Sequence, residues 1–427
     1  MKLSIDKKVA IVGLGYVGLP LLRLLTKKKI ACFGFDIDQK KINSLKKGIS
    51  YISDVGNKDL TILKKNNLFN MSEIKNVSKV NYIIICLPTP LTKNNQPDMS
   101  IIINAFNKLK KYIKKNQTII LESTVYPGAT RKIFSKYLSA KFNLGKNIFL
   151  GYSSERISPG QSDIRKFKYF LENTPKVISG INEKSLNKIY QLYNKIFQTV
   201  YKAKSLEIAE MSKLVENSYR SVNIGLANEL KTICYKLKID VNHVITTAGT
   251  KPFGFNRFYP GPGVGGHCIP IDPMFFKWIA KGKGIDSKFI SLARSTNLNI
   301  TKWVINQIFK EAPKIKNKKH KKKILLIGLA YKENVNDTRE SPSIKIYKSL
   351  IKYNNTIDYN DSKIPKIRIL NKTLFSTPLN KLKKYDYVII GTAHDDLKKN
   401  LILKNSKKIF DTRGFFKEVD SKKIIKI

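Results

Sequence analysis

A glycine triplet near the amino end restricts this chain more than any other feature. Gly13-x-Gly15-x-x-Gly18 lies between a β-type run, Lys8–Val12, and a helix-type segment, Tyr16–Leu25. Gly13 permits a tight turn, Gly15 lets backbone approach a pyrophosphate, and Gly18 lets the helix pack close to the strand. The first N–H groups of that helix then face the phosphates. Asp36 closes the next β run, Ile30–Phe35. A carboxylate there accepts from ribose hydroxyls and repels a 2′-phosphate, which favours NAD over NADP; Lys41 blurs this, because it could reach such a phosphate.

The rest of the chain extends this pattern. Tyr82–Leu87 and Thr118–Leu121 are apolar β runs followed by Pro88-Thr89-Pro90 and Glu122-Ser123-Thr124; Ile148–Leu150 and Lys176–Ser179 read as further strands. Strands alternating with helices predict a parallel, doubly wound sheet, with ligands at the strands' carboxyl ends. From Leu206 to Leu237, Ile208, Met211, Leu214, Val215, Tyr219, Val222, Leu226, Leu230 and Ile233 follow helical spacing. The Pro/Gly-rich segment Pro252–Pro273 reads as irregular. Ile324–Gly328 then opens a second strand series, with runs near Thr356–Tyr359, Tyr387–Gly391 and Lys408–Phe410. The expected fold is α/β: two Rossmann-like doubly wound lobes joined by a long central helix, with domains at 1–204, 205–313 and 314–427.

Composition excludes several classes. Lys and Arg number 80 against 31 Asp and Glu, a net charge of +49, but only ten of the 80 are Arg. Arg supplies planar, bidentate contacts to nucleic acid, and here Lys is spread almost evenly instead. Such charge favours anionic small molecules. Four Cys without a C-x-x-C pair and four scattered His speak against a disulfide scaffold and a metal centre. No stretch is long and apolar enough for a membrane span, and no signal peptide is evident, so cytoplasm is expected.

Three further motifs carry chemistry. In Pro260-Gly261-Pro262-Gly263-Val264-Gly265-Gly266-His267-Cys268, the glycines suggest backbone brought against a ligand, with the thiol of Cys268 aimed at it. Asp272 shares its face if a helical turn forms there. His267 could serve as a base, although adjacent side chains point apart, which favours a structural or substrate-facing role. Lys213 and Asn217 are four apart on the long helix and share a face. Lys332 and Arg339, in Gly328–Pro342, suit a nucleotide diphosphate or a domain seam; with no second glycine triplet, a second dinucleotide is not indicated.

Taken in order, GLGYVGLP, LPTPL, ESTVYPG, SERISPG, EMSKLVEN, GPGVGGHCIPIDP and AYKENVNDTRESP resemble the UDP-glucose/GDP-mannose dehydrogenase family over essentially the whole chain. Thr250–Phe255 joined to FYPGPGVGGHCIPIDP looks most like the bacterial UDP-N-acetylglucosamine 6-dehydrogenases. UDP-glucose enzymes carry Glu-Phe-Leu where this chain has Glu155-Arg156-Ile157, and Lys where it has Ile271. Ser154 departs from the Pro usual in relatives.

The resemblance implies an NAD-binding amino domain, a central domain with the Cys loop and a dimerising helix, and a UDP-binding carboxyl domain. It implies oxidation of a sugar C6 alcohol to a carboxylate with two NAD⁺ used in turn, feeding surface polysaccharide. Cys268 would form a thiohemiacetal and then a thioester. Lys213 and Asn217 would donate to the C6 oxyanion, and Lys213 would favour the thiolate. Glu155 would be the base for hydrolysis, with Thr124 and Asp272 positioning water. Gly13, Gly15, Tyr16, Val17, Gly18, Asp36, Lys41, Thr89, Thr124 and Arg339 would bind NAD. Arg156, Lys213, Asn217, Tyr259, Gly265 and Lys332 would bind the UDP-sugar, Arg156 accommodating an acylamino group. The alternatives are the UDP-glucose, UDP-N-acetylgalactosamine and UDP-N-acetylmannosamine enzymes. A basic NAD-fold protein that binds nucleic acid through Lys314–Lys323 is the competing class; that run otherwise reads as a solvated linker.

Overall fold

Strand β1 (Val9–Val12) is wholly buried and apolar, as a central parallel strand covered on both faces must be. The computed structural model describes residues 8–52, 55–63, 67–156, 171–316, 321–353 and 355–427. They form two compact units, residues 1–216 with 274–285, and residues 217–273 with 286–427.

In the first unit β1 joins β2 (Cys32–Asp36), β3 (Asn67–Asn70), β4 (Tyr82–Ile85), β5 (Thr118–Leu121), β6 (Phe149–Ser153), β7 (Lys176–Gly180) and β8 (Val200–Lys202) in the order 3-2-1-4-5-6-7-8. Helices α1 (Gly18–Lys27), α2 (Gln39–Lys46), α3 (Asn57–Leu63), α4 (Ser100–Leu109), α5 (Ala129–Leu138) and α6 (Glu183–Tyr193) lie between strands in the chain. Leu19, Leu22, Ile84, Ile120, Ile189 and Tyr193 belong to one buried cluster. One pairing departs from the expected parallel sheet: β7 runs antiparallel to β6, with Gly151 opposite Gly180 and Ser153 opposite Ile178. An apolar run marks a strand but carries no sign of direction.

Helix α7 (Leu206–Leu237) has the predicted bounds. Its residues up to Glu216 belong to the first unit and the remainder to the second. The second unit also holds α8 (Val241–Ala248) and the start of α9 (Cys268–Lys281), then α10 (Lys288–Glu311), α11 (Pro342–Ile351) and α12 (Lys399–Asn405). α9 corrects the reading of Pro252–Pro273 as irregular throughout, because its last six residues are helical. Pro270 falls in the first turn, where a missing N–H costs nothing, whereas Pro273 lies inside the helix and gives up one backbone bond, so the prolines hide the helix without preventing it.

The second sheet is β9 (Lys323–Ile327), β10 (Thr356–Asn360), β13 (Tyr387–Ile390), β14 (Ile409–Asp411) and β15 (Ile424–Lys426), all parallel, in the order 10-9-13-14-15; β11 (Lys366–Ile369) and β12 (Lys372–Phe375) form a separate antiparallel hairpin. Its first corner repeats that of the first sheet. Gly13 (φ +96°) follows β1 and Gly328 (φ +84°) follows β9. Asp36 accepts from the Leu14 and Asp38 amides, both at 2.9 Å. Asp361 accepts from the amides of Leu329, Ala330, Lys363 and Ile364 at 2.7–3.0 Å, and pairs with His394 Nε2 at 3.0 Å.

Candidate active site

The glycine loop is built as the spacing predicts. A Cβ on Gly18 would lie 1.9 Å from the Gly13 carbonyl oxygen, and one on Gly13 would lie 2.5 Å from that of Cys86. Both positions therefore exclude any side chain. A Cβ on Gly15 would meet nothing within 4 Å, so among the described residues the loop stays open where a pyrophosphate would lie. Tyr16 and Val17 are half-buried beside it, and Val17 precedes the first turn of α1. Lys41 Nζ lies 3.4 Å from Asp36 Oδ2, so its charge is directed at the acid. These residues fit a dinucleotide.

Two strand-end loops lie next to this corner. Thr89 is buried and donates its hydroxyl to the Thr124 carbonyl at 2.8 Å, while Ser123 Oγ accepts from the Leu87 amide at 3.0 Å. These bonds tie the loop after β4 to the loop after β5. Glu122, fully buried, accepts from Lys176 Nζ at 2.7 Å and from the Tyr193 hydroxyl. Glu155 Oε2 lies 3.5 Å from the same ammonium, and its Oε1 accepts from the Arg156 amide at 2.6 Å. The Arg156 guanidinium pairs with Glu216 at 2.8 Å and donates to the Pro175 carbonyl at 3.1 Å. Ile157, Ser158, Pro159 and Gly160, the rest of this motif, lie outside the described residues, as do residues 317–320 of the Lys-rich run.

On α7, Lys213 and Asn217 are both buried, as their shared face suggested. Lys213 has no hydrogen-bond or ion-pair partner among the described residues. A buried ammonium with no partner is costly, so this position suits an anionic or oxyanionic ligand. Glu210, one turn earlier, is fully buried and accepts from the Gly128 and Thr130 amides at 2.5 and 2.8 Å, capping α5. Burial pushes its carboxyl up to about 7 against those hydrogen bonds.

In the second unit, Cys268 is exposed and opens α9, and a helix N-terminus favours negative charge on sulfur. Asp272, four residues on, is buried and accepts from Asn217 Nδ2 at 2.5 Å. The glycines before Cys268 also answer a packing need, because protein fills their side-chain space. A Cβ on Gly261 would lie 2.5 Å from the Arg413 guanidinium. One on Gly265 would lie 2.7 Å from Tyr331 and 2.9 Å from the Glu340 carbonyl oxygen, and one on Gly266 2.7 Å from the Tyr331 ring. The Gly266 amide donates to the Arg339 carbonyl at 2.8 Å. The Cys loop is thus moulded onto the 331–340 loop.

Arg339 donates to both Asp337 oxygens, with its shortest contact at 2.6 Å. His267 is held below its ordinary range, first by burial and then by the Arg339 charge, so it stays neutral. Lys332 is half-buried in this loop. Tyr259 is exposed, its hydroxyl 3.2 Å from Thr246 Oγ1. Sequence reasoning missed Lys176, Tyr193, Glu210, Tyr331 and Arg413. None has a local signal, since each acts on a partner distant in the chain.

Family models for the UDP-glucose/GDP-mannose dehydrogenase family match in three parts: the NAD binding domain over residues 7–197, the central domain over 207–299 and the UDP binding domain over 325–418. The chain belongs to the UDP-glucose/GDP-mannose dehydrogenase family, and it is an NAD-dependent UDP-sugar dehydrogenase. It is 35% identical over 413 residues to a UDP-N-acetyl-D-glucosamine 6-dehydrogenase of Pseudomonas aeruginosa, covering 95% of this chain and 94% of that one. It is 34% identical over 426 residues to a UDP-N-acetyl-D-mannosamine dehydrogenase of Methanococcus maripaludis, covering 96% and 93%. The UDP-D-ManNAc dehydrogenase structure from Pyrococcus horikoshii superposes with a TM-score of 0.84 at 26% identity, covering 97% of each chain. No helix among the described residues is long and apolar enough to cross a membrane.

Proposed function

We propose that this protein oxidises the C6 alcohol of UDP-N-acetylglucosamine to the uronate, working in the cytoplasm and supplying surface polysaccharide. The observation that carries the oxidation chemistry is the short chain of contacts around Cys268: an exposed thiol heads α9, Asp272 shares its face, and Asn217 holds Asp272 from the helix that bears the buried Lys213. The expected domains, 1–204, 205–313 and 314–427, divide this work into cofactor, thiol and uridine-diphosphate handling.

Bound NAD⁺ supplies the hydride acceptor for both oxidations. The protein's own residues do the rest. Loss of a hydride from C6 and a proton from its hydroxyl gives an aldehyde, which the Cys268 thiolate attacks. The thiohemiacetal loses a second hydride and proton to become a thioester, and water cleaves it to carboxylate and free thiol. In sum, one alcohol, one water and two NAD⁺ give one carboxylate, two NADH and three protons. Lys213 and Asn217 steady the C6 oxygen as it gains charge. Glu155 takes the proton from water, which Asp272 and Thr124 orient. Gly13, Gly15, Tyr16, Val17, Gly18, Asp36, Lys41, Thr89, Thr124 and Arg339 hold the dinucleotide. Arg156, Tyr259, Gly265 and Lys332 hold the UDP-sugar.

The protein works as a homodimer paired along α7. Ile208, Val215, Tyr219, Leu226, Ile233 and Leu237 are exposed at spacings of seven and four, the seam of two packed helices. NADH yield against a panel of UDP-sugars, with product mass, tests the whole reading. Two NADH and one uronate from UDP-N-acetylglucosamine are expected. Turnover only of UDP-N-acetylmannosamine or UDP-glucose would reassign the substrate, and one NADH per sugar would remove the thioester.

A further inference from the structure

The reversed strand β7 brings a buried cation to the sheet edge where a parallel strand would bring its carboxyl end. With Ser153 opposite Ile178 and Gly151 opposite Gly180, continuing the register by two residues sets Glu155 opposite Lys176. Cross-strand neighbours in an antiparallel pair interact directly. On the other side of β6, β5 ends at Leu121, so Glu122 comes to the same edge. Lys176 is almost wholly buried between these carboxylates, 2.7 Å from Glu122 and 3.5 Å from Glu155. We propose that Lys176 is a positioning residue for Glu155, an internal ammonium that braces Glu122 on one side and fixes the site-facing carboxylate on the other.

The groups packed around Lys176 support this assignment. Tyr193, from α6, donates its hydroxyl to Glu122. Cys86, after β4, is buried beside the cluster, and the Phe197 ring lies 5.3 Å from the ammonium. Burial works against the charge on Lys176, but the two carboxylates outweigh it and hold the amine above its ordinary range. Burial, followed by the Glu122 charge, raises both Tyr193 and Cys86, so they stay protonated. Burial also raises Glu122, against the Lys176 charge that lowers it, and the cluster sets two carboxyl groups around one ammonium. Glu122 has the closer ion pair, backed by a phenol. Glu155 has the longer one and keeps its side chain partly exposed at the strand end. That asymmetry suits a carboxylate that must take a proton from water and return it. The neighbouring Arg156 guanidinium pairs with Glu216, and Lys176 meets Glu155 directly at 3.5 Å.

This inference rests on Glu155 as the base, so the experiment tests the two separately. Lys176→Met alone would strand Glu122, so the informative variant is Lys176→Met with Glu122→Gln, which leaves no buried charge unpaired. The Glu155 carboxyl is followed by carbon-13 NMR in glutamate-labelled protein without cofactor, assigned with Glu155→Gln, and kcat is measured against pH. In the double variant the Glu155 midpoint should rise by about one to three pH units, the effect of removing an opposite charge at this range. The acid limb of kcat should move with it. Lys176→Arg, which keeps the charge, should restore both. A folded double variant with an unmoved midpoint and acid limb would overturn the role of Lys176. Acid release at the wild-type rate by Glu155→Gln would overturn the base itself, and this inference with it.

Discussion

Asn217 donates its side-chain amide to Asp272 Oδ2 at 2.5 Å, and both residues are buried. Four residues before Asp272 in the same helix stands Cys268, so one hydrogen bond links the α7 face to the α9 turn that carries the thiol. Asp272→Asn should keep the fold while slowing acid release about 10²–10⁴-fold, the usual worth of a positioned acid–base group. Single-turnover assay of uronate against NADH would show it. Equal rates in variant and parent would limit Asp272 to a structural role.

Cys268→Ser should yield no more than one NADH per sugar and no uronate, because an alkoxide is a poorer nucleophile and leaving group than a thiolate. Mass spectrometry of quenched parent enzyme should find the acyl adduct on Cys268. Full uronate production by the serine variant would exclude the covalent route.

Lys213→Ala should lower kcat about 10²–10³-fold, as for loss of an oxyanion donor. UDP affinity by calorimetry should be unchanged. A rise in KM at constant kcat would make Lys213 a binding residue instead.

The glycine loop separates folding from cofactor binding. Gly18→Ala forces a Cβ to 1.9 Å from the Gly13 carbonyl oxygen, so it should destabilise the first unit by about 1–3 kcal/mol, typical of overpacking. Gly15→Ala meets no protein atom; it should leave Tm unchanged yet weaken NADH binding by at least about tenfold. Thermal melts and NADH fluorescence titrations test the pair, and similar melts for the two variants would contradict the assignment.

Glu210 gives the stability a pH dependence. Its folded carboxyl sits at about 7 against an ordinary 4.5, chiefly through burial. Between those values the folded chain holds a proton that the unfolded chain has lost. This contribution is therefore complete below about 4.5 and is lost as pH rises through about 7. Melts from pH 5 to about 8 should show Tm falling over that window, and Glu210→Gln should flatten the slope. A slope unchanged by the substitution would assign it to other groups.

The nucleotide-binding corner was legible in the sequence because three glycines and an acid at fixed spacing encode a single geometry. Helix α7 was legible because its apolar spacing runs unbroken from Ile208 to Ile233. The direction of β7 was not, since Lys176–Ser179 reads alike both ways. The hairpin of β11 and β12 escaped because its turn holds Leu370 and Asn371 at φ +49° and +61°, where Gly or Asn-Gly is the expected signal. The glycines before Cys268 were visible, but their packing role was not: the occupants of their side-chain space, Tyr331 and Arg413, are distant in sequence.

Asp36 and Asp361 hold equivalent corners of the two sheets. Two carboxylate oxygens offer about four lone pairs. Asp361 meets five partners, four amides and His394, so its lone pairs are fully engaged and that corner is a closed joint. Asp36 gives two to amides and one, at a longer 3.4 Å, to Lys41. An adenosine hydroxyl arriving at the first corner finds an acceptor with capacity to spare, while the same group arriving at the second would have to break the loop's own bonds to be recognised.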